Sequence, residues 1–181
     1  MALTATIYNA NVELNDVDRG VYESFALRVA MHPSETLEYL ATRLVAYCLE
    51  YTEGIAMTAG LSNGDEPAIV VRSLTGQITA WIEVGLPDAD RLHRASKLAD
   101  RVAVYLHRDI RILLRQLEGR RIHRAEDLAI YSFEGPFIKD LAERMERRVA
   151  LTITVNERHL YLDINGVSLT TVIEQHHDLQ S

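Results

Sequence analysis

Apolar and polar positions alternate from the start of the chain. Over residues 3–14, Ala5, Ile7, Asn9 and Asn11 interleave with Thr4, Thr6, Tyr8, Ala10 and Val12. This pattern, rich in β-formers, predicts a strand. Asn15-Asp16 marks a turn. Residues 21–30, with Phe25, Leu27 and Val29 on one face, predict a second strand, and the two together predict an antiparallel hairpin. At His32-Pro33-Ser34-Glu35-Thr36 the pattern changes to a helical one. Pro33 suits a helix start, Ser34 is the expected N-cap, and Glu35 faces the favourable end of the helix dipole. Leu37, Leu40, Ala41, Leu44, Val45 and Cys48 recur as one buried stripe, and Gly54 ends the run.

A loop is expected around Gly60, Asn63 and Gly64, then a short strand over 69–72 and a turn at Thr75-Gly76. Residues 77–85 alternate cleanly. Ile78, Ala80, Ile82 and Val84 are expected on one face, and Gln77, Thr79, Trp81 and Glu83 on the other. Pro87 opens a helix of about 12 residues with Leu92, Ala95 and Ala99 inward. Residues 102–106 are almost continuously apolar, as in a strand covered on both faces. Strand, helix and strand over 77–107 predict a crossover unit with parallel strands. Further helices are expected over 109–118 and 136–148. Strands are expected over 128–133, 150–156, 159–164 and 167–173, with a hairpin turn at Asn165-Gly166 and a polar, frayed tail from Gln175. The expectation is one α+β domain spanning residues 1–181, with a mixed central sheet and flanking helices.

Composition narrows the functional classes. Of the 181 residues, 48% are hydrophobic, enough for a sizeable core without staples. The formal charge of −7, from 26 acidic and 19 basic residues, gives no general attraction for nucleic-acid phosphates. A nucleic-acid partner would need a local basic patch or a bridging metal. Cys48 is the only cysteine, so no internal disulfide forms, and its place in the apolar stripe predicts an inert buried thiol. No signal-peptide pattern and no long apolar span is present. The expectation is a cytoplasmic protein with no membrane association, a monomer or weak dimer.

The candidate chemistry centres on carboxylates. Glu83 stands at the carboxyl end of a strand in the parallel unit, where ligands of such sheets gather, and shares its face with Trp81. A carboxylate there must be hydrated, paired with an arginine or bound to a metal. Asp65 and Glu66 precede a strand and also read as solvated turn formers. Glu38, at the edge of the first helix's apolar stripe, could reach the sheet and also reads as an ordinary boundary residue. The order is helix acid, loop acid, strand acid. Hard cations such as Mg²⁺ or Mn²⁺ take carboxylate oxygens and activate water against a phosphoryl group. Arg108, Arg111, Arg115, Arg120, Arg121 and Arg124 make a basic stretch that reads as a solvated face or a phosphate contact. His32, His93, His107, His123 and the pair His176-His177 show no metal-ligand spacing. No Gly-rich phosphate loop, CxxC pair or GxSxG elbow occurs.

Several stretches in order resemble the YaeQ family over nearly the whole chain. They include Ile7-Tyr8, His32-Pro33-Ser34-Glu35-Thr36 with Glu38 and Arg43, Gly64-Asp65-Glu66-Pro67, Leu74-Thr75-Gly76, Trp81-Ile82-Glu83-Val84-Gly85 with Pro87-Asp88, and Arg94-Ala95. The resemblance implies a divergent PD-(D/E)XK nuclease-like core with added β-hairpins. It implies Asp65 as the first acid, Glu83 as the strand acid and Glu38 as the helix acid, with Asp65 and Glu83 holding Mg²⁺ or Mn²⁺. A typical nuclease carries lysine two residues after the strand acid, where this chain has Gly85. Arg94 or Lys97 are the candidates to replace it. An arginine stabilises charge but does not act as a base. Two functions follow as expectations: a metal-dependent phosphodiester hydrolase acting on nucleic acid, or a non-catalytic binding protein that keeps the fold.

Overall fold

The alternating segments at the start of the chain form β1 (Thr6–Asp16) and β2 (Val21–Met31). They make the expected antiparallel hairpin, with Thr6 opposite Met31 and Asp16 opposite Val21. The computed structural model describes residues 4–59 and 65–177. After the hairpin come α1 (Leu37–Leu49), β3 (Ile55–Met57), β4 (Ile69–Arg72), β5 (Ile78–Val84), α2 (Ala89–Leu98), β6 (Arg101–Leu106) and α3 (Ile110–Leu117). A 3-10 turn at Ala125–Asp127 leads to β7 (Ala129–Phe133), α4 (Phe137–Glu143), β8 (Arg148–Asn156), β9 (His159–Ile164) and β10 (Val167–His176). The mixed α+β character matches the sequence pattern. The loop expected around Gly60, Asn63 and Gly64 lies outside the described residues.

The strands form one sheet in the order β2-β1-β8-β9-β10-β7-β6-β5-β4-β3. β1 and β8 run parallel, as do β5–β6 and β6–β7. The remaining pairs are antiparallel. The β5-α2-β6 crossover therefore appears as expected. At the β9–β10 hairpin Asn165 and Gly166 have φ of 49° and 78°. Two successive left-handed residues are what a tight hairpin turn matching strand twist requires.

Both halves of the sheet pack on α1. Leu14 of β1 and Ile153 of β8 share one buried cluster with Ile69, Ile82 and Tyr105, and with Leu40, Leu44 and Val45 of the helix. The sheet thus bends around α1 and α4. For the same reason α1 is buried at every position from Leu40 to Cys48, Thr42 and Arg43 included. The single stripe read from the sequence is too narrow because a helix enclosed by a curved sheet has no free side there. α2 and α3 cover the outer face of β5–β7 and enclose Trp81, Leu92, Val104, Leu106, Leu113 and Ile130. Residues 102–106 are therefore buried on both faces. β8 and β9, covered on one face, keep their alternation.

Some local expectations shift. The α1 N-cap is Thr36, whose Oγ1 accepts from Tyr39 N at 3.0 Å. Ser34 instead meets His32 Nδ1 at 2.5 Å in a preceding turn. α4 ends at Glu143 rather than 148, and β8 starts at Arg148 in register with Asn9 of β1. β10 continues through Gln175 to His176 because β7 pairs with it there, so the tail is ordered further than composition predicts. β3, only three residues long, carries no periodic signal. Arg72 pairs with Ile78 while Val71 pairs with Ala80. Thr79 is therefore a bulge, and Ile78 packs on the Trp81 side rather than with Ala80 and Ile82. No helix among the described residues is long and apolar enough to cross a membrane.

Candidate functional site

Strand alternation beyond the Thr79 bulge puts Trp81 and Glu83 on the face covered by α2. The chain leaves the strand at Gly85, whose φ is +93° and whose N–H donates to the Tyr105 carbonyl at 2.9 Å. Asp88 then caps α2, its Oδ1 accepting from Arg91 N at 2.8 Å. The sharp turn and the cap direct the first turn of α2 back over the end of β5. As a result Arg91 Nε donates to Glu83 Oε1 at 2.6 Å. Trp81 Nε1 donates to the same oxygen at 2.5 Å. The Arg91 guanidinium also donates to the Glu66 carbonyl and lies 6.0 Å from the Trp81 ring centre.

Glu83 is 5% exposed. Burial raises its carboxyl above the ordinary range, and the charge of Arg91, then the hydrogen bonds from Trp81 and Arg91, oppose that rise. Above the pair lies a cleft of about 450 Å³ at the carboxyl ends of β5 and β6. Glu35, Tyr39, Glu66, Asp88, His107 and Arg108 contribute to its walls. Burial pushes the Tyr39 hydroxyl up to about 12, so it remains a neutral phenol at neutral pH. Burial and the neighbouring Arg108 lower His107 below the ordinary imidazole range, against the pull of Glu38. A neutral imidazole results at pH 7, and its buried Nδ1 has no hydrogen-bond partner among the described residues.

A second buried cation lies beneath this wall. Arg43 is fully enclosed; its Nε donates to the Ala68 carbonyl at 3.1 Å and another nitrogen to the Thr58 carbonyl. Burial lowers its proton affinity, and the Glu35 carboxylate opposes that.

The expected site residues separate. Glu83 lines the cleft, whereas Asp65 is exposed and its neighbour Glu66 takes the place in the wall. Glu38 is exposed on the first turn of α1, close enough to act electrostatically on His107. Arg94 and Lys97 are exposed on α2. Lys97 borders a separate hollow with His93, Arg121 and His123. Among the described residues no three His, Cys, Asp or Glu side chains come together as a metal-binding group. Glu83 Oε1 itself accepts from a guanidinium and an indole. The pairing of Glu83 with an arginine, one of the readings open in the sequence, is what the fold builds.

Arg91 and His107 carry most of the chemistry that sequence reasoning missed. The signal for Arg91 was its position three residues after an Asp N-cap, in a first turn that must face the preceding strand end. His107 follows the last residue of β6, next to the end of β5. Half of the arginine stretch is committed. Arg111 pairs with Asp109, Arg120 reaches Asp90 at 3.3 Å, and Arg124 donates to the Ser96 and Ala99 carbonyls at the end of α2.

A family model described as YaeQ protein matches residues 1–173. An uncharacterized YaeQ protein of Salmonella typhi is 35% identical over 164 residues, covering 90% of both chains. Its counterpart in Escherichia coli strain K12 is 32% identical over the same share. Among solved structures, the YaeQ protein from Pseudomonas syringae superposes with a TM-score of 0.85 at 31% identity, covering 94% of this chain and 95% of that one. The YaeQ protein from Xanthomonas axonopodis pv. citri gives a TM-score of 0.88 at 27% identity, covering 96% and 99%.

Proposed function

The chain belongs to the YaeQ family, and from that premise we propose that it is a metal-independent binding protein. Its cleft at the carboxyl ends of β5 and β6 receives a positively charged, donor-rich group of a partner. The carrying observation is the place of Arg91, between Glu83 Oε1 and the Glu66 carbonyl. A divalent ion would take one or two such oxygens at about 2.0–2.1 Å and complete its shell with water. It would also have to expel a guanidinium from a carboxylate that is almost fully buried. In this reading the arginine is an internal cation where a nuclease would hold a metal. The nuclease-like core implied by the sequence resemblance serves as a scaffold.

Charge in the cleft supports the same direction. Arg91 offsets Glu83, and Arg43 lies under Glu35. Among the described residues of the wall, Glu66 and Asp88 then face Arg108 and a neutral His107. That excess of acceptors favours a guanidinium or ammonium over a phosphate.

Two measurements test the reading. Melting of wild type and Glu83→Gln is followed with Mg²⁺ and Mn²⁺, beside cleavage assays on single- and double-stranded DNA and RNA. The expected result is no metal shift that depends on Glu83, and no cleavage. N-acetyl-arginine amide, followed by amide NMR, is expected to perturb Glu66, Gly85 and Arg108, and to lose this effect in Glu66→Gln. Mn²⁺-dependent cleavage abolished by both Glu83→Gln and Asp65→Ala, or no perturbation by the arginine probe, overturns the proposal.

A further inference from the structure

A second cavity, of about 560 Å³, opens at the other end of β5 and β6, where Ala80 and Arg101 begin the parallel pair. Its position is independent of the Glu83 cleft and of the function proposed for it. Leu49, Val71, Ala80, Val155 and Ile173 give it apolar walls, and polar groups from both halves of the sheet close its rim. The volume and mixed lining are those of a site for a small organic molecule.

The hydrogen-bonding groups of the rim select the kind of molecule. Every carboxylate in this cavity already has partners for both oxygens. Glu50 accepts from Arg101 at 2.5 Å and from the Tyr105 hydroxyl at 2.7 Å. Asp16 accepts from the Arg19 N–H at 3.2 Å and its Nε at 2.6 Å. Asp18 accepts the N–H groups of Glu157 at 2.7 Å and Arg158 at 3.0 Å. Each of these oxygens thus already holds one donor from the protein itself.

Donors remain. The Tyr131 hydroxyl accepts from Arg101 at 3.2 Å, and its own hydrogen has no acceptor among the described residues. Burial disfavours the charge on Arg101, but Glu50 outweighs it and holds the guanidinium protonated. A tyrosine that accepts from a fixed cation is a stronger donor. Gln175 stands directly opposite Tyr131 across the β7–β10 pair, so the two side chains are neighbours on one face. The Gln175 Oε1 accepts from one terminal guanidinium nitrogen of Arg158 at 3.1 Å, which leaves the Gln175 amide hydrogens and the other guanidinium nitrogens of Arg158 unused among the described residues. Tyr131, Gln175 and Arg158 thus form a contiguous row of donors beside an apolar chamber.

We propose that this cavity binds a small organic acid, with its oxyanion on Tyr131, Gln175 and Arg158 and its hydrocarbon body against Leu49, Val71, Val155 and Ile173. A carboxylate and a phosphate monoester share this chemistry.

Hexanoate and hexyl phosphate are titrated into the full chain and followed by amide NMR, with hexanol as the uncharged control. At least one acid is expected to shift the amides of Tyr131, Arg158 and Gln175, and the tighter of the two identifies the head group. Hexanol is expected to bind more weakly. Tyr131→Phe and Arg158→Gln each remove a hydrogen bond to a charged group and are expected to weaken binding about tenfold. Both positions are at least partly exposed, and the amide spectra report that each variant remains folded. No shift from either acid at about 10 mM, equal binding of hexanol, or unchanged affinity in either variant overturns the assignment.

Discussion

Arg91 Nε lies 2.6 Å from Glu83 Oε1, joining the first turn of α2 to the end of the strand before it. The Glu83 side chain is 6% exposed and that of Arg91 22%. Removing the arginine would leave a buried carboxylate with the indole N–H as its one donor among the described residues. Arg91→Ala is expected to lower stability by about 3 kcal/mol, nearer the buried-pair range than the surface one. Glu83→Gln keeps an acceptor for Trp81 and should cost less. Urea unfolding at pH 7 compares the two, and an Arg91 loss below about 0.5 kcal/mol would place the pair with ordinary surface bridges.

The same carboxylate gives stability a pH dependence of defined sign. Burial, only partly opposed by Arg91, raises the folded-state value of Glu83 above that of the unfolded chain. Between those two values the folded state binds more protons, so stability falls as pH rises through the window. The penalty is complete above the folded value and vanishes below the unfolded one. Glu83→Gln is therefore expected to flatten the stability profile just above the ordinary carboxylate range. Chemical denaturation of wild type and variant across pH 4–7 measures this, and parallel profiles would show no contribution from Glu83.

Gly85 explains the absence of lysine two residues after the strand acid. β5 ends at Val84, and Gly85 has φ of +93°. It no longer follows the alternation that would place a side chain beside Glu83. A Cβ there would meet nothing nearer than the Tyr39 ring at 3.8 Å, so space is available and only the backbone resists. Gly85→Ala and Gly85→Lys are both expected to cost about 1–3 kcal/mol from the left-handed backbone. Thermal melting checks this, and a much larger loss in the lysine variant would reveal crowding instead.

The sequence made Trp81 and Glu83 legible as a pair because strand alternation is local. It also announced the β1–β2 and β9–β10 hairpins and the β5-α2-β6 crossover, whose turns and periods are written in adjacent residues. The parallel pairing of β1 with β8 was not legible, since Asn9 and Arg148 meet only through the closed fold. Arg91 stayed hidden for a related reason. Its reach to Glu83 depends on the backbone at Gly85 and the cap at Asp88, and neither strand nor helix periodicity spans that turn. Asp65, Glu38, Arg94 and Lys97 were grouped with Glu83 by resemblance. The fold spreads them over exposed positions, none of them in the wall of the cleft.

Cys48 tests how closed the last turn of α1 is. It is fully buried, and burial pushes its thiol up to about 12. At pH 8 almost no thiolate exists and none is accessible. Alkylation by iodoacetamide is expected to be negligible in the folded protein and complete after denaturation. Rapid labelling of native protein would mean that α1 opens locally.

Arg43 and Glu35 offer the sharpest test of the buried charge under the cleft. Arg43 has no exposed surface, and Glu35 is 5% exposed. The carboxylate acts electrostatically to keep the guanidinium charged. Carbonyl oxygens of Thr58 and Ala68 fix its orientation. Arg43→Met replaces the stem but removes the donors to those carbonyls and the cation beside Glu35, with an expected loss of about 3–5 kcal/mol. Glu35→Gln added to that variant removes the carboxylate charge as well. The double variant is therefore expected to lose less than the sum of the singles by about 1 kcal/mol or more. Two-state denaturation of the four proteins completes the cycle. Additive losses would mean that Arg43 is held by its carbonyl contacts alone, and that Glu35 is buried for some partner other than this cation.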